Sequence, residues 1–447
     1  MFYRFVRAVV GFALRLFYRV TVRSRPDDAL GPVMFVGNHP NAIIDPALVF
    51  VLSSRRVTFL AKEPLFRTPV MGSILRGLGA LPVYRKQDNP ALMEKNEGTF
   101  EAAASALASG GAITLFPEGK SHSEPSLAAL KTGAARIAFR AARAGARVRI
   151  IPVGLTYAQK HKFRSEVLID VDPPIEVAAY LPAGGQDEAP AVRALTEQIE
   201  AGLRRVTLNL ETWEDLPVIQ TGEELYALKL GERAHDPERL RRFAKGIQLF
   251  RAEQPERFER MRGEVASYRR RLELVRSSTR DLGLVYRRDQ VWMFTLRNLV
   301  ALFFGLPLFL LGLVLFALPF YIPRWLNRAL DVELDQQATV KFLGALALAP
   351  LVIAGLALAA WRWLGAGWAV TAVLTALPLA LFTRYFLEHW REVLRDAQVF
   401  FTLGNRGGLK ARLLVQGEKL AAEIEAIADE LRPRLTQEPI KDLRGSQ

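Results

Sequence analysis

From about residue 30 to residue 215, short apolar runs alternate with longer polar stretches of helical pattern. The runs are Val33-Met34-Phe35-Val36, Val57-Thr58-Phe59-Leu60, Ala112-Ile113-Thr114-Leu115-Phe116, Val148-Arg149-Ile150-Ile151-Pro152-Val153 and Val167-Leu168-Ile169. Between them, residues 64–76, 91–109 and 127–145 have the helical pattern. The alanine-rich stretch Glu101 to Ala108 is stopped by Gly110-Gly111. A loop, Leu181-Pro182-Ala183-Gly184-Gly185, precedes a last helix that reaches about Leu210. Strands that alternate with helices in this way predict an α/β domain.

Three later stretches carry no charge at all: Asn298 to Pro323, Phe342 to Trp361, and Trp363 to Thr383. A bilayer-spanning helix needs about 20 apolar residues, so each qualifies as a membrane segment. The second and third are separated only by Arg362 and read as a tight helical hairpin. The first contains Gly305, Pro307, Gly312 and Pro319, which suits a tilted span or a broken re-entrant helix. The polar parts on both sides are rich in Arg and Lys, which favours the cytoplasmic side for both. Two crossings plus one re-entrant segment satisfy that rule, with the polar domains on the cytoplasmic face.

The N-terminal pattern differs from both. At 100° per residue, Arg4, Arg7, Arg15 and Arg19 share about a third of a helical wheel. Phe2, Phe5, Val9, Phe12 and Leu16 occupy the opposite face. No acid precedes Asp27, so residues 1–25 read as a basic amphipathic helix suited to an anionic membrane surface. Arginines interrupt the apolar face and no small-residue cleavage site follows, which argues against a signal peptide. Two charged helical blocks, 216–296 and 385–447, flank the membrane runs. Asp236-Pro237-Glu238 and Gln254-Pro255-Glu256 read as helix starts within the first block.

Composition sharpens the functional reading. The 447 residues carry a formal net charge of +14 and contain no cysteine. That excludes a disulfide framework, a cysteine nucleophile and cysteine–zinc chemistry. The five histidines, at 39, 122, 161, 235 and 389, are too few and scattered for a histidine-rich metal centre. The excess of positive charge calls for an acidic partner: nucleic acid, anionic lipid or a phosphorylated substrate. No helix-turn-helix and no aromatic-and-basic RNA motif is present, so nucleic acid is set aside.

Four motifs carry candidate chemistry, each at a strand end. Gly37-Asn38-His39-Pro40-Asn41-Ala42-Ile43-Ile44-Asp45-Pro46 puts a histidine in a turn with an acid six positions on. A histidine takes a proton from a hydroxyl near neutral pH, and an acid on its other nitrogen fixes the tautomer. The plainer alternative is a loop histidine followed by a helix-capping aspartate. The second motif is Phe116-Pro117-Glu118-Gly119-Lys120-Ser121-His122. It is no P-loop, because Thr114 stands where that motif needs glycine, and no G-x-S-x-G elbow occurs. The others are Leu81-Pro82-Val83-Tyr84-Arg85-Lys86 and Ile151-Pro152-Val153. His161, His235 and His389 lie in charged segments and are expected to be solvated.

In this order, the four motifs resemble the glycerolipid acyltransferase superfamily over residues 30 to 215. The combinations H-P-N-x3-D-P and F-P-E-G-x-S-H are closest to its fungal-type glycerol-3-phosphate and dihydroxyacetone-phosphate branch. The resemblance implies an α/β acyltransferase domain with helical extensions and C-terminal transmembrane or re-entrant helices. It implies transfer of an acyl group from acyl-CoA or acyl-carrier protein to a hydroxyl of glycerol-3-phosphate or its acylated product. His39 is then the base and Asp45 its orienter. Arg85, Glu118 and Gly119 hold the acceptor, with Lys131, Lys62 and Ser121 as further binding candidates. No cofactor is implied beyond the acyl donor, and anionic membrane lipids are the remaining partner. The family spacing is H-x4-D and this chain has H-x5-D, so the Pro40-Asn41 turn must absorb one residue for Asp45 to reach the imidazole. Without that, the chain reads as a non-catalytic lipid-binding scaffold. The T-R-S that often follows F-P-E-G is replaced by Lys120-Ser121-His122.

Overall fold

The computed structural model describes residues 1–437, apart from 27, 29–30, 86–89, 183–186, 233, 235, 276, 284–287 and 405–406. His235, Lys86 and most of the loop at 181–185 therefore lie outside the description or at its edge. The chain forms two compact units: residues 1–209 with 326–343, and residues 210–325 with 344–447.

In the first unit the elements are α1 (Phe2–Phe17), β1 (Arg19–Val22), β2 (Val33–Gly37), α2 (Ile44–Leu52), β3 (Val57–Lys62), α3 (Pro64–Arg67), α4 (Pro69–Leu78) and β4 (Leu81–Val83). There follow α5 (Asn96–Ala108), β5 (Ala112–Leu115), α6 (Gly133–Arg143), β6 (Arg149–Tyr157), β7 (Glu166–Val171), β8 (Ile175–Glu176) and α7 (Glu188–Val206). The strand order is β1-β7-β6-β2-β5-β3-β4, with β8 on β6. β2, β3, β4, β5 and β6 all run parallel. Their carboxyl ends therefore share one edge of the sheet, where loops gather.

All five residues of β2 are buried, as expected for a parallel strand covered on both faces. On one face, Met34, Val36, Ile113 and Ile150 meet Leu107 of α5, Phe139 of α6, and Leu195, Ile199 and Leu203 of α7. On the other, Phe50 of α2 packs edge-on against Phe59 of β3 at 5.4 Å. All five predicted strands are present. Of the other three, β4 is the strand that the 81–86 motif implied before Arg85, and two were not foreseen: β1, where the basic N-terminal helix was expected to continue, and the two-residue β8. The helix stops at Phe17, and Arg19 lies on the edge strand, opposite Glu166 in register. The helix expected over 127–145 begins only at Gly133, because Lys131 is spent on the loop before it, its N–H donating to Pro117 O at 2.8 Å.

α1 buries Leu14, Phe17 and Gly11 and leaves Phe5 65% and Phe12 46% exposed. Arg7 turns inward and donates to the carbonyls of Ser53 and Ser54. Arg4, Arg15, Phe5 and Phe12 form the outward face, a mixed basic and aromatic surface of the kind that suits a lipid headgroup layer.

The second unit holds α8 (Asp215–Leu230), α9 (Pro237–Glu253), α10 (Pro255–Leu274), α11 (Arg288–Leu315), α12 (Ala317–Ala329), α13 (Gln337–Leu364), α14 (Ala366–Gly404) and α15 (Gly407–Gln437), of which α12 ends and α13 begins in the first unit. Both proline-led helix starts are present, and Asp236 caps α9 by accepting from Arg239 N. The two charged blocks pack together: Leu225, Phe258, Tyr268 and Leu272 share a core with Leu413 and Leu420 of α15.

α11, α13 and α14 are each long and apolar enough to cross a membrane. The first apolar run, expected as a tilted span or a broken helix, continues through Pro307 inside α11, breaks after Leu315 and resumes as α12. The hairpin turn is not at Arg362 but at Gly365, whose φ of +99° only glycine tolerates readily. His389, expected to be solvated, instead bonds Asn298 of α11 at 2.8 Å.

Gly154 of β6 lies directly beneath α7, and a Cβ there would collide with the carbonyl oxygen of Val206. Gly154→Ala is expected to destabilise the unit by about 2–3 kcal/mol through overpacking. Thermal unfolding in detergent, followed by intrinsic fluorescence, measures this; an unchanged midpoint contradicts the close docking of α7 on β6.

Candidate active site

His39 is placed by the end of β2. Where that strand stops, the Asn38 amide replaces a missing rung of the ladder: Nδ2 donates to Leu155 O at 3.0 Å, and Oδ1 accepts from Leu155 N at 2.7 Å. The next residue is thereby fixed against β6. The imidazole of His39 stacks on Phe116 with centroids 4.3 Å apart. Its backbone N–H donates to Glu118 Oε1 at 2.7 Å, and its carbonyl accepts from His122 N at 3.1 Å.

Asp45 reaches the imidazole despite the longer spacing: His39 Nδ1 lies 2.8 Å from Asp45 Oδ2. The extra residue is absorbed at Ala42, whose φ of +42° is in the left-handed region that non-glycine residues avoid. The same reversal brings Asn41 N to 2.6 Å from Asp45 Oδ2. A carboxylate offers no hydrogen, so Nδ1 is the donor and Nε2 keeps the lone pair. With a side chain 19% exposed, His39 combines a fixed tautomer with access from outside.

Asp45 itself is fully buried. Its second oxygen accepts from the phenol of Tyr157 at 2.6 Å. Burial, and next the nearby Asp45 charge, push the Tyr157 phenol well above its ordinary range, so it remains a donor. Tyr157 ends β6, the strand that carries the Ile151-Pro152-Val153 motif. In register, Val153 sits opposite Gly37, and β6 runs four residues past the end of β2. Sequence reading missed Tyr157. The signal was present in the length of the apolar run, which continues through Gly154 and Leu155 beyond the motif.

Behind this pair, Asn41 Nδ2 donates to Tyr18 OH at 3.0 Å, and Tyr18 in turn donates to Lys160 O. The Tyr18 phenol is also pushed upward by burial. Lys160 ties two loops: its Nζ donates to Pro40 O and Ser123 Oγ, each at 2.7 Å, and to His122 O at 3.2 Å. Burial lowers its pKa, and Asp335 and Asp45 oppose that. Lys160 and Tyr18 had no motif to reveal them.

The other predicted residues divide into two groups. Glu118 is 3% exposed and fully engaged within the protein: besides His39 N, it accepts from Ala128 N at 2.8 Å and from the His122 ring. It braces the loop from inside rather than presenting a free carboxylate to a ligand. Gly119 turns the loop with φ +73°, and the Lys131 ammonium lies over its open face. Ser121 donates to Asp335 Oδ2, so its hydrogen is already committed. His122, the last residue of the Phe116–His122 motif, belongs to this cluster. Lys62 ends β3 and Arg85 follows β4, two and three strand positions from β2, hence about 10 and 14 Å along the edge. Lys62 is exposed; the backbone before Arg85 is held by Asn96, which bonds Tyr84 N and O at 2.9 and 2.7 Å. The edge thus has a His–Asp centre on β2 and cations spread towards β4. His161, expected to be solvated, is half-buried, and its carbonyl accepts from Lys341 at 2.7 Å.

The Acyltransferase family model matches residues 19–156, less than a third of the chain. Over 32% of this chain, glycerol-3-phosphate O-acyltransferase 1 of Saccharomyces cerevisiae is 34% identical; the match covers 20% of that protein. Glycerol-3-phosphate O-acyltransferase 2 of the same yeast is 34% identical over 29% of this chain and 18% of its own length. The chain thus spans about a fifth of the length of these curated relatives. The crystal structure of the 1-acyl-sn-glycerophosphate acyltransferase PlsC from Thermotoga maritima aligns with a TM-score of 0.33 and 20% identity, over 45% of this chain and 79% of that one. That score is too low to compare the two in detail. The motif resemblance, over residues 30 to 215, and the Acyltransferase match, over residues 19–156, overlap across residues 30–156, the part of the chain that is similar to that family by both.

Two changes test the geometry. Tyr157→Phe removes a donor from a buried carboxylate and should cost about 1.5–3 kcal/mol of stability. Chemical denaturation checks it; no loss contradicts the bond. Ala42→Gly should be neutral or stabilising by about 1 kcal/mol, whereas Ala42→Val should destabilise by about 1–3 kcal/mol. Equal stability of the two variants contradicts the left-handed turn.

Proposed function

We propose that the acyltransferase-family domain transfers a fatty acyl group from a thioester donor to a hydroxyl of a glycerol phosphate at the membrane surface. The observation that carries this reading is the His39–Asp45 pair at 2.8 Å, with the His39 side chain 19% exposed. In the proposed reaction the acceptor hydroxyl donates its proton to His39 Nε2 while its oxygen attacks the thioester carbonyl. Asp45 stabilises the imidazolium that forms. Collapse of the tetrahedral intermediate breaks the carbon–sulfur bond, and the leaving thiolate takes the proton back from Nε2. No residue of the chain becomes acylated.

The cations along the β3–β4 end of the edge supply the charge for an acidic acceptor. Lys62, Arg85 and Lys131 are the residues we assign to its phosphate, with Gly119 giving the backbone room beside Lys131. Glu118 supports the site by holding the backbone of His39. The acceptor favoured by the two yeast relatives' names is glycerol-3-phosphate, with its 1-acyl product as the alternative; the donor is acyl-CoA or acyl-carrier protein. The three apolar helices and the outward face of α1 suit a membrane enzyme with its catalytic domain on the cytoplasmic face, next to anionic lipid. The longer histidine–aspartate spacing was the main support for a non-catalytic scaffold; the His39–Asp45 distance of 2.8 Å supports the catalytic reading instead.

His39→Ala in detergent-purified protein should lower transfer of labelled acyl-CoA by about 10²–10⁴-fold. The assay offers glycerol-3-phosphate and lysophosphatidate separately. Near wild-type turnover in the variant overturns the mechanism, and the acceptor consumed chooses between the two products.

A further inference from the structure

Residues 326–343 lie outside the acyltransferase match but pack in the same compact unit as that domain. The segment is held in shape from within: Asn327 Nδ2 donates to Gln337 O at 2.9 Å, and Gln337 Nε2 to Val332 O at 3.1 Å. Its burial is the reverse of simple hydrophobic docking. Asp335 is 5% exposed, while its neighbours Leu330 and Leu334 are 68% and 43% exposed. A carboxylate is buried at this cost only where donors meet it.

The donor is Ser121, whose hydroxyl points at Asp335 Oδ2. Ser121 stands next to His122, which donates its N–H to His39 O and its ring to Glu118. Glu118 in turn accepts from His39 N. Asp335 is therefore linked through one loop to the backbone of the base on both sides. The same segment reaches the other wall of the site. Thr339 Oγ1 accepts from the N–H of Ile43 at 3.3 Å, two residues before Asp45. Phe342 closes the contact edge-on against Phe17 at 6.1 Å.

We infer that Asp335 is a positioning residue of the acyl-transfer site, acting through Ser121 to hold the 118–122 loop against His39. The segment between two apolar helices then completes a site whose other parts lie within residues 19–156. The catalytic consequence rests on the function proposed above; the positioning itself does not.

The test is a double-mutant cycle in the full-length protein: Asp335→Ala, Ser121→Ala and both, with exposed Glu333→Gln as control. Asp335→Ala should lower kcat/KM for the acceptor about tenfold or more, the worth of a hydrogen bond to a charged group. The KM for the acyl donor should stay unchanged, and the double variant should be no slower than the worse single one. Losses that multiply, or a fully active Asp335→Ala, overturn the proposal. Hydrogen–deuterium exchange gives a readout independent of turnover. Residues 118–122 should exchange faster in Asp335→Ala, and residues 41–45 faster in Thr339→Val; unchanged exchange overturns the proposal. If the wild type shows no turnover, the proposed function fails while exchange still decides the positioning. Should the alanine variant not accumulate, Asp335→Asn replaces it, keeping the shape with a weaker bond. A smaller loss of about threefold is then expected with Ser121 present and none with Ser121→Ala; identity with wild type overturns the proposal.

Discussion

The Asp45 carboxylate, shut away from water beneath the HPN turn, is the constraint around which the site is organised. A charge in that position is tolerated only if hydrogen-bond donors replace its hydration. Three do so: the ring of His39, the N–H of Asn41 and the phenol of Tyr157. Each comes from a different piece of the fold, namely the end of β2, the turn before α2 and the end of β6. The left-handed Ala42 is the local strain that allows two of them to converge. The imidazole orientation is thus a consequence of satisfying a buried charge.

The parallel sheet explains why the motifs meet. Five parallel strands release their loops on one edge, so residues far apart in sequence become neighbours. Glu118 is a clear case. In the chain it is 79 residues from His39; in the fold its carboxylate holds the His39 N–H. Lys160 performs a similar task for the Pro40 and Ser123 loops. These two buried or half-buried groups use their charge to fix the loops around His39.

The apolar helices give the chain a second solvent to satisfy. Their outward surfaces are largely leucine, valine and aromatic side chains, exposed to an extent that suits hydrocarbon rather than water. The polar link between two of them is different in character. It buries Asp335 and Asn327 and lays Thr339 against the start of α2.

Much of this was determined by sequence alone. Parallel strands read as apolar runs because both of their faces are covered, and spans read as charge-free runs because hydrocarbon excludes charge. His39 and Asp45 were legible because a turn at a strand end leaves a local motif. The tertiary structure decided what distance along the chain conceals. Tyr157, Lys160 and Asp335 act on residues 112, 120 and 214 positions away, so no spacing rule points to them. The internal hydrogen bonds of Glu118, to His39, Ala128 and His122, were equally hidden, because burial is a property of the fold and not of a motif. β1 escaped notice because its ladder partner, β7, lies far along the chain. Local patterns fix which side chains are available; only packing decides which of them share a site.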